Sequence, residues 1–344
     1  MKRQLLGVAA FMLALSAHAQ DNPLWMRYCA ISPDGTSIAF TYKGDIYTVP
    51  VNGGKAAQIT TNAAHDTHPV WSPDGKQIAF ASDRMGSMDI FVVDREGGIP
   101  KRLTTHSGNE TPVAFKDADH ILFLANVMPS AEDAQFPSGQ FQQVYEVSTT
   151  GDRPVMFSSM PMEDISINKT GNALLYHDKK GYEDPWRKHH TSSITRDIWL
   201  CSLDGKRSYR KLTSFNGEDR TPVWASDGKS FYYLSEEKGS FNVFKRALDG
   251  TTSTQLTHHT KHPVRFLTAA DNGTLCYGYD GEIYTMKEGT EPRKVQISIL
   301  TDKNDKDLIR QIRRNGATEI ALSPDAKEVA FILRGDVYVT SVEY

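Results

Sequence analysis

The chain has 344 residues, 39% of them hydrophobic, and a formal net charge of −3 from 39 Lys and Arg against 42 Asp and Glu. That length allows about two ordinary domains or one large β-domain. A near-neutral balance with no charged tail gives no reason to expect a nucleic acid partner.

In chain order, Lys2 and Arg3 precede the short apolar run "LLGVAAFMLALS" and then "AHA" at Ala17–Ala19. Positive start, apolar run and small-residue site in that order read as a secretory signal peptide over 1–19, cleaved after Ala19. The run is too short to cross a bilayer and no later run is long enough, so an exported, periplasmic protein without a membrane span is expected.

From Cys29 onward one pattern recurs. "PVWS", the turn "PDG", "KQIAFAS", "MDIFVVD", the turn "REGG" and "KRLT" make up Pro69–Thr104. Further copies span Cys29–Thr60, Pro112–Phe157, Ile165–Thr213, Pro222–Thr257, Pro263–Ile297 and, incompletely, Ile320–Val342. The strands are short, rich in β-branched and aromatic residues, and separated by Gly, Asp and Asn turns. A period of roughly 40 to 57 residues is that of four-stranded propeller blades, which bury their faces against one another. The fold class is therefore all-β: a six-bladed β-propeller of four-stranded antiparallel blades over residues 20–300, plus the start of a second propeller. "DKNDKDLIRQIRRNG" (Asp302–Gly316) reads as a linker over 301–316, and 317–344 as a truncated first blade of that second propeller. Six blades are favoured because the seventh repeat stops after its third strand. The mature N-terminus has no room to donate the fourth.

Ser72 and Asp74 sit together beside Trp71 but belong to the recurring "SPDG", so they read as turn residues. No G-x-S-x-G, H-E-x-x-H or C-x-x-C is present, and no catalytic residue is assigned. "HDTH" (His65, His68) and "HHTKH" (His258, His259, His262) lack the companions of a metal site. No metal or cofactor is expected. Cys29, Cys201 and Cys276 are too few for a disulfide framework and read as small buried hydrophobes. An acidic residue opens the third strand of several repeats (Asp45, Asp89, Asp197, Glu282, Asp336). These lie too far from the axis to form a cation ring and are expected to make hydrogen bonds at strand ends.

In a meander of this kind the first-to-second and third-to-fourth turns share one face. The irregular loops share the other. On that face unit three carries the insertion Asn126–Phe141 and unit four "DKKGYEDPWRKHHTSSIT" (Asp178–Thr195). Long loops on a rigid scaffold are where binding concentrates. Arg187, Lys188, His189, His190 and Arg196 are therefore binding candidates, read as exposed positive charge beside Trp186 and Tyr182. His68, Glu110, Arg220, Lys261 and His262 at the starts of first strands are expected near the channel mouth, where a mixed ring suits peptide termini or charged side chains.

The repeat "WSPDGKQIAF" with "DIFVVDREGG" and "KRLT" resembles the TolB-like propeller. The opening "LWMRYCAISPDGTSIAFTYKGDIYTVPVNGGKAAQIT" resembles the first propeller of tricorn-type serine peptidases. The resemblance covers nearly all the mature chain. It implies a non-catalytic module of an exported tricorn-like peptidase that scaffolds the assembly and controls peptide passage, with proteolysis in the parent chain. Its expected partners are peptides or protein domains, including downstream domains of the parent chain. The alternative is a free-standing TolB-like periplasmic protein-binding propeller.

Overall fold

The structure, a computed structural model, describes residues 23–126, 141–181, 184, 186–187, 194–300 and 313–343. The expected signal peptide and most of the expected linker lie outside these residues. The described residues form β-strands and no helices.

The first blade is built from β1 (Arg27–Ile31), β2 (Ser37–Tyr42), β3 (Asp45–Pro50) and β5 (Ala57–Gln58), with β4 (Gly54–Lys55) beside it. The second holds β6 (Asp66–Trp71), β7 (Gln77–Ser82), β8 (Asp89–Asp94) and β9 (Lys101–Arg102). The third holds β10 (Glu110–Phe115), β11 (His120–Ala125), β12 (Gln143–Ser148) and β13 (Val155–Ser158). The fourth holds β14 (Met162–Ile167), β15 (Ala173–Asp178), β16 (Ile198–Ser202) and β17 (Ser208–Lys211). The fifth holds β18 (Asp219–Trp224), β19 (Ser230–Ser235), β20 (Asn242–Ala247) and β21 (Ser253–Gln255). The sixth holds β22 (Arg265–Ala269), β23 (Leu275–Tyr279), β24 (Glu282–Met286) and β25 (Arg293–Lys294), followed by β26 (Ile297–Ser298). Each is an antiparallel meander, as read from the repeats.

The first strands β1, β6, β10, β14, β18 and β22 touch one another in that order, and β1 also touches β22 and β23. The last four-stranded sheet thus packs directly on the first. Two side-chain classes fill the spaces between blades. Apolar residues of the second and third strands, such as Ile38, Phe40, Ile78, Phe80, Phe123 and Phe231, are almost fully buried. The tryptophans of "VW" reach back one blade: Trp71 Nε1 donates to the Ala30 carbonyl and Trp224 Nε1 to that of Ser166, both at 2.9 Å.

The "SPDG" stretch is the tight turn its composition predicts. Ser72 Oγ donates to Asp74 Oδ1 at 2.7 Å and accepts from Gln77 N at 2.9 Å. Gly75 takes φ +68°, which an L side chain resists. The same bonds recur at Ser32 with Asp34 and at Ser323 with Asp325.

The threonine ending "KRLT" has a repeated role. Thr60, Thr104, Thr213 and Thr257 are buried, and each hydroxyl accepts the backbone N–H near the start of its blade's third strand at 2.9–3.0 Å. Leaving such a buried N–H unpaired costs about 1–3 kcal/mol. The acidic residues opening the third strands turn to the fourth strand: Asp45 accepts from Gln58, Asp89 pairs with Arg102, Asp197 with Lys211 and Glu282 with Lys294. Their role here is strand-end pairing.

β27 (Ala317–Leu322), β28 (Glu328–Leu333) and β29 (Asp336–Ser341) form a separate three-stranded sheet. Asp336, the corresponding acid there, has no fourth strand beside it among the described residues.

Candidate functional site

All six first strands carry a register shift near their start, between Arg27 and Ala30, Thr67 and Val70, Pro112 and Ala114, Glu163 and Ser166, Arg220 and Val223, and Arg265 and Thr268. In five of them the residue at the shift is a non-glycine with left-handed backbone: Tyr28 (φ 53°), His68 (55°), Asp164 (48°), Thr221 (52°) and Phe266 (57°). The sixth is Pro112, whose ring forbids positive φ. Such a conformation costs on the order of 1 kcal/mol or more for an L residue and persists only where the surroundings impose it. A bulge re-aims a side chain, and here it does so once per blade at the same register.

The re-aimed side chains meet across blades. The Tyr28 ring lies 3.6 Å from that of His68 and 4.8 Å from that of Phe266, centroid to centroid. Thr221 Oγ1 donates to Asp164 Oδ2 at 2.6 Å. The Asp164 carboxylate also favours protonation of His68, two blades away, although burial dominates and holds this histidine down to about 4. The axial mouth is thus aromatic over blades one, two and six and polar over blades four and five.

Around it stands a ring of charge. Arg27, Glu163, Arg220 and Arg265 precede the bulged residues of their strands. Arg27 and Arg265 each place the guanidinium 4.9 Å from the Trp186 ring centre. Arg265 Nη2 donates to the Trp186 carbonyl at 2.9 Å. Trp186 therefore spans from the fourth blade's loop to blades six and one, beside Phe266. The Arg265 pKa is pushed down to about 10 by burial and by the like charges of Arg220, Arg27 and Arg187.

Beneath Trp186 lies a buried ionic cluster. Arg187 Nη2 donates to Glu218 Oε2 at 2.6 Å and Nη1 to Glu236 Oε2 at 2.8 Å. Arg196 Nη1 donates to Glu218 Oε1 at 2.6 Å and lies 3.6 Å from Glu163, which also binds Lys179 at 2.7 Å and His177 at 3.2 Å. Arg220 stacks over the Phe241 ring at 4.1 Å. Glu218 is held below the ordinary carboxylate range by these arginines, against the opposing effect of burial.

This corrects the reading of unit four as exposed positive charge. Arg187 and Arg196 are 5% and 6% exposed and already paired. Arg220, at 8%, lies near the mouth but is packed into its wall. His68 reaches the axis. His262 pairs with Asp280 at 3.1 Å on the rim, and Lys261 is exposed beside it. Glu110 departs from the mouth: it is 1% exposed, bonded to Thr104 and near Asp89 and Arg102 between blades two and three. Lys188, His189 and His190 lie outside the described residues. No group of three or more His, Cys, Asp or Glu able to hold a metal occurs among the described residues.

Tyr28, Asp164, Thr221, Phe266 and Trp186 contribute most to the mouth and only Trp186 was singled out from sequence. The six bulge residues share no chemistry. Aligning the repeats by the third position before the apolar core of each first strand brings them into one column.

With this geometry in view, the protein is a β-propeller of TolB-like four-stranded repeats. More narrowly, residues 23–292 match the tricorn protease N-terminal beta propeller domain, and the chain belongs to that family. It is 25% identical over 281 residues to tricorn protease homolog 1 of Streptomyces coelicolor, covering 80% of this chain and 25% of that protein. The crystal structure of the tricorn protease aligns with a TM-score of 0.69 at 20% identity, over 93% of this chain and 30% of that one. TolB from Acinetobacter baumannii aligns with a TM-score of 0.56 at 16% identity, over 76% and 61%. The chain spans about a quarter of the length of the tricorn relative from Streptomyces.

Two predictions follow from the buried charges. Arg187→Met leaves Glu236 without its buried arginine and Glu218 with Arg196 as its remaining close partner, and should lower unfolding free energy by about 3–5 kcal/mol in denaturant titration. A loss under 1 kcal/mol would return Arg187 to the exposed class. The second concerns Glu110, whose pKa burial raises to about 7 and whose Oε2 has no hydrogen-bond partner. Because the folded value lies above the ordinary 4.5, the folded state holds the proton more tightly. The resulting stability is complete below about pH 4.5 and is lost as pH rises through 7. Glu110→Gln should therefore lose less stability between pH 5 and 8 than wild type, by on the order of 2 kcal/mol. Parallel stability–pH curves would contradict this.

Proposed function

We propose that this chain is the non-catalytic propeller module of an exported tricorn-like serine peptidase. In this reading it scaffolds the assembly and controls the passage of peptides, while proteolysis belongs to the parent chain. The observation that carries the proposal is the mouth, where an aromatic patch, the Asp164–Thr221 pair and the guanidinium groups of Arg27 and Arg265 beside Trp186 converge on the axis. An extended peptide with a carboxylate end suits this surface, since guanidinium groups pair with carboxylates and aromatic faces cover apolar side chains. Export, with cleavage after Ala19, belongs to the same proposal.

Residues 317–344 are read as the beginning of a second propeller. Leu322 and Val337 are each 63% exposed, whereas Ile31 and Ile46 at the matching places of the first blade are 5% and 0%. Such apolar strands require neighbouring sheets, which supports downstream domains of the parent chain as partners.

The test is binding of a fluorescent acidic peptide with a free C-terminus to the purified chain. We expect salt-sensitive binding, weakened about tenfold by Arg265→Gln, and no peptide cleavage. Equal binding by wild type and variant would contradict the site. Cleavage abolished by substituting one residue of this chain would contradict the non-catalytic reading.

A further inference from the structure

The ring closes where its sixth blade meets its first, and two of the three cysteines lie at that seam. Cys29 on β1 is 2% exposed and Cys276 on β23 is fully buried, both within one hydrophobic cluster with Ile31, Phe40, Ile283 and Ile297. Bonds across the seam fix their placement. Cys29 Sγ donates to the Phe266 carbonyl at 3.5 Å, and Ile31 N donates to Thr268 Oγ1 at 3.1 Å. Thr268 is paired directly with Cys276 in the β22–β23 ladder. Cys29 therefore faces the strand pair that carries Cys276. Burial first, and then the neighbouring Cys29 thiol, raises the Cys276 pKa. Cys201 stands apart in the fourth blade, its Sγ directed to the Ser202 carbonyl.

We propose that Cys29 and Cys276 form a disulfide that closes the ring covalently between its first and sixth blades when the chain folds under oxidising conditions. The oxidant is an external disulfide of the thiol–disulfide exchange class. One cysteine thiolate attacks it, forming a mixed disulfide and releasing one thiolate. The other cysteine then attacks the sulfur joined to the chain, forming the Cys29–Cys276 bond and releasing the second thiolate. The two cysteine thiols lose two protons and two electrons, and the external disulfide becomes two thiols. Exchange must precede closure of the seam, because both sulfurs are covered afterwards.

The bond would span most of the chain, the kind of long loop for which restriction of the unfolded state is greatest. It would also brace the mouth. Tyr28 is next to Cys29 in sequence, and Phe266 supplies the carbonyl that Cys29 now contacts.

The experiment refolds the wild-type chain in a mixture of reduced and oxidised glutathione, then counts thiols after denaturation. The expected result is one reactive thiol, a mass lower by two hydrogens, and a non-reducing digest that joins the Cys29 and Cys276 peptides. Adding reductant should lower the thermal midpoint by roughly 5–10 °C. Cys201→Ala should leave no reactive thiol and keep the redox-sensitive midpoint. Three free thiols, glutathione adducts in place of the internal bond, or a bond to Cys201 would each overturn the proposal.

Discussion

A four-stranded sheet with two apolar faces is stable only if both faces are covered, and in a ring the last sheet must cover the first. The structure depends on that one contact. It joins residues far apart in the chain, so nothing local holds it. Three devices act there. Cys29, Ile31, Phe40, Cys276, Ile283 and Ile297 form one core across the seam. Met26 N donates to the Gly281 carbonyl at 3.1 Å. Beyond the sixth blade, β26 pairs in parallel with β4, with Gly54 N donating to Gln296 O at 2.8 Å. The neighbouring Gly53 permits this approach, since a Cβ there would lie 2.5 Å from the Gln296 carbonyl oxygen. Among the described residues the closure uses a short outer latch rather than a shared blade.

Closure also explains why a strained mouth can persist. Five left-handed residues in six first strands would be unfavourable in isolated sheets. Packed blades impose the bulges, and the bulges turn side chains into the axis that stacking alone would leave between strands. The ionic cluster around Glu218 supports the same surface from below. It links the fourth blade's loop to the fifth blade, and through Arg265 and Trp186 to the sixth. Stability and site are thus set by the same contacts, and charges that look suited to solvent in the sequence act within the wall.

The architecture was legible because its signals repeat. "SPDG", the threonine of "KRLT" and the acid opening the third strand each recur, and a residue needed in every blade is structural. The site was legible only in part. His68 was recognised by residue type, and the unit-four loop by its length. The burial of Arg187 was hidden because its partners, Glu218 and Glu236, lie in a different repeat and carry no local pattern. Tyr28, Asp164, Thr221 and Phe266 were hidden for the opposite reason. Their shared property is backbone conformation, and no single residue type announces it.

Amide hydrogen exchange on the chain with and without a bound acidic peptide tests the central claim most directly, that the bulged mouth is the contact surface. The account predicts slowed exchange at the starts of β1, β14, β18 and β22, around Tyr28, Asp164, Thr221 and Phe266, with the "SPDG" turns on the opposite face unchanged. Protection confined to those turns, or to the outer strands, would contradict it.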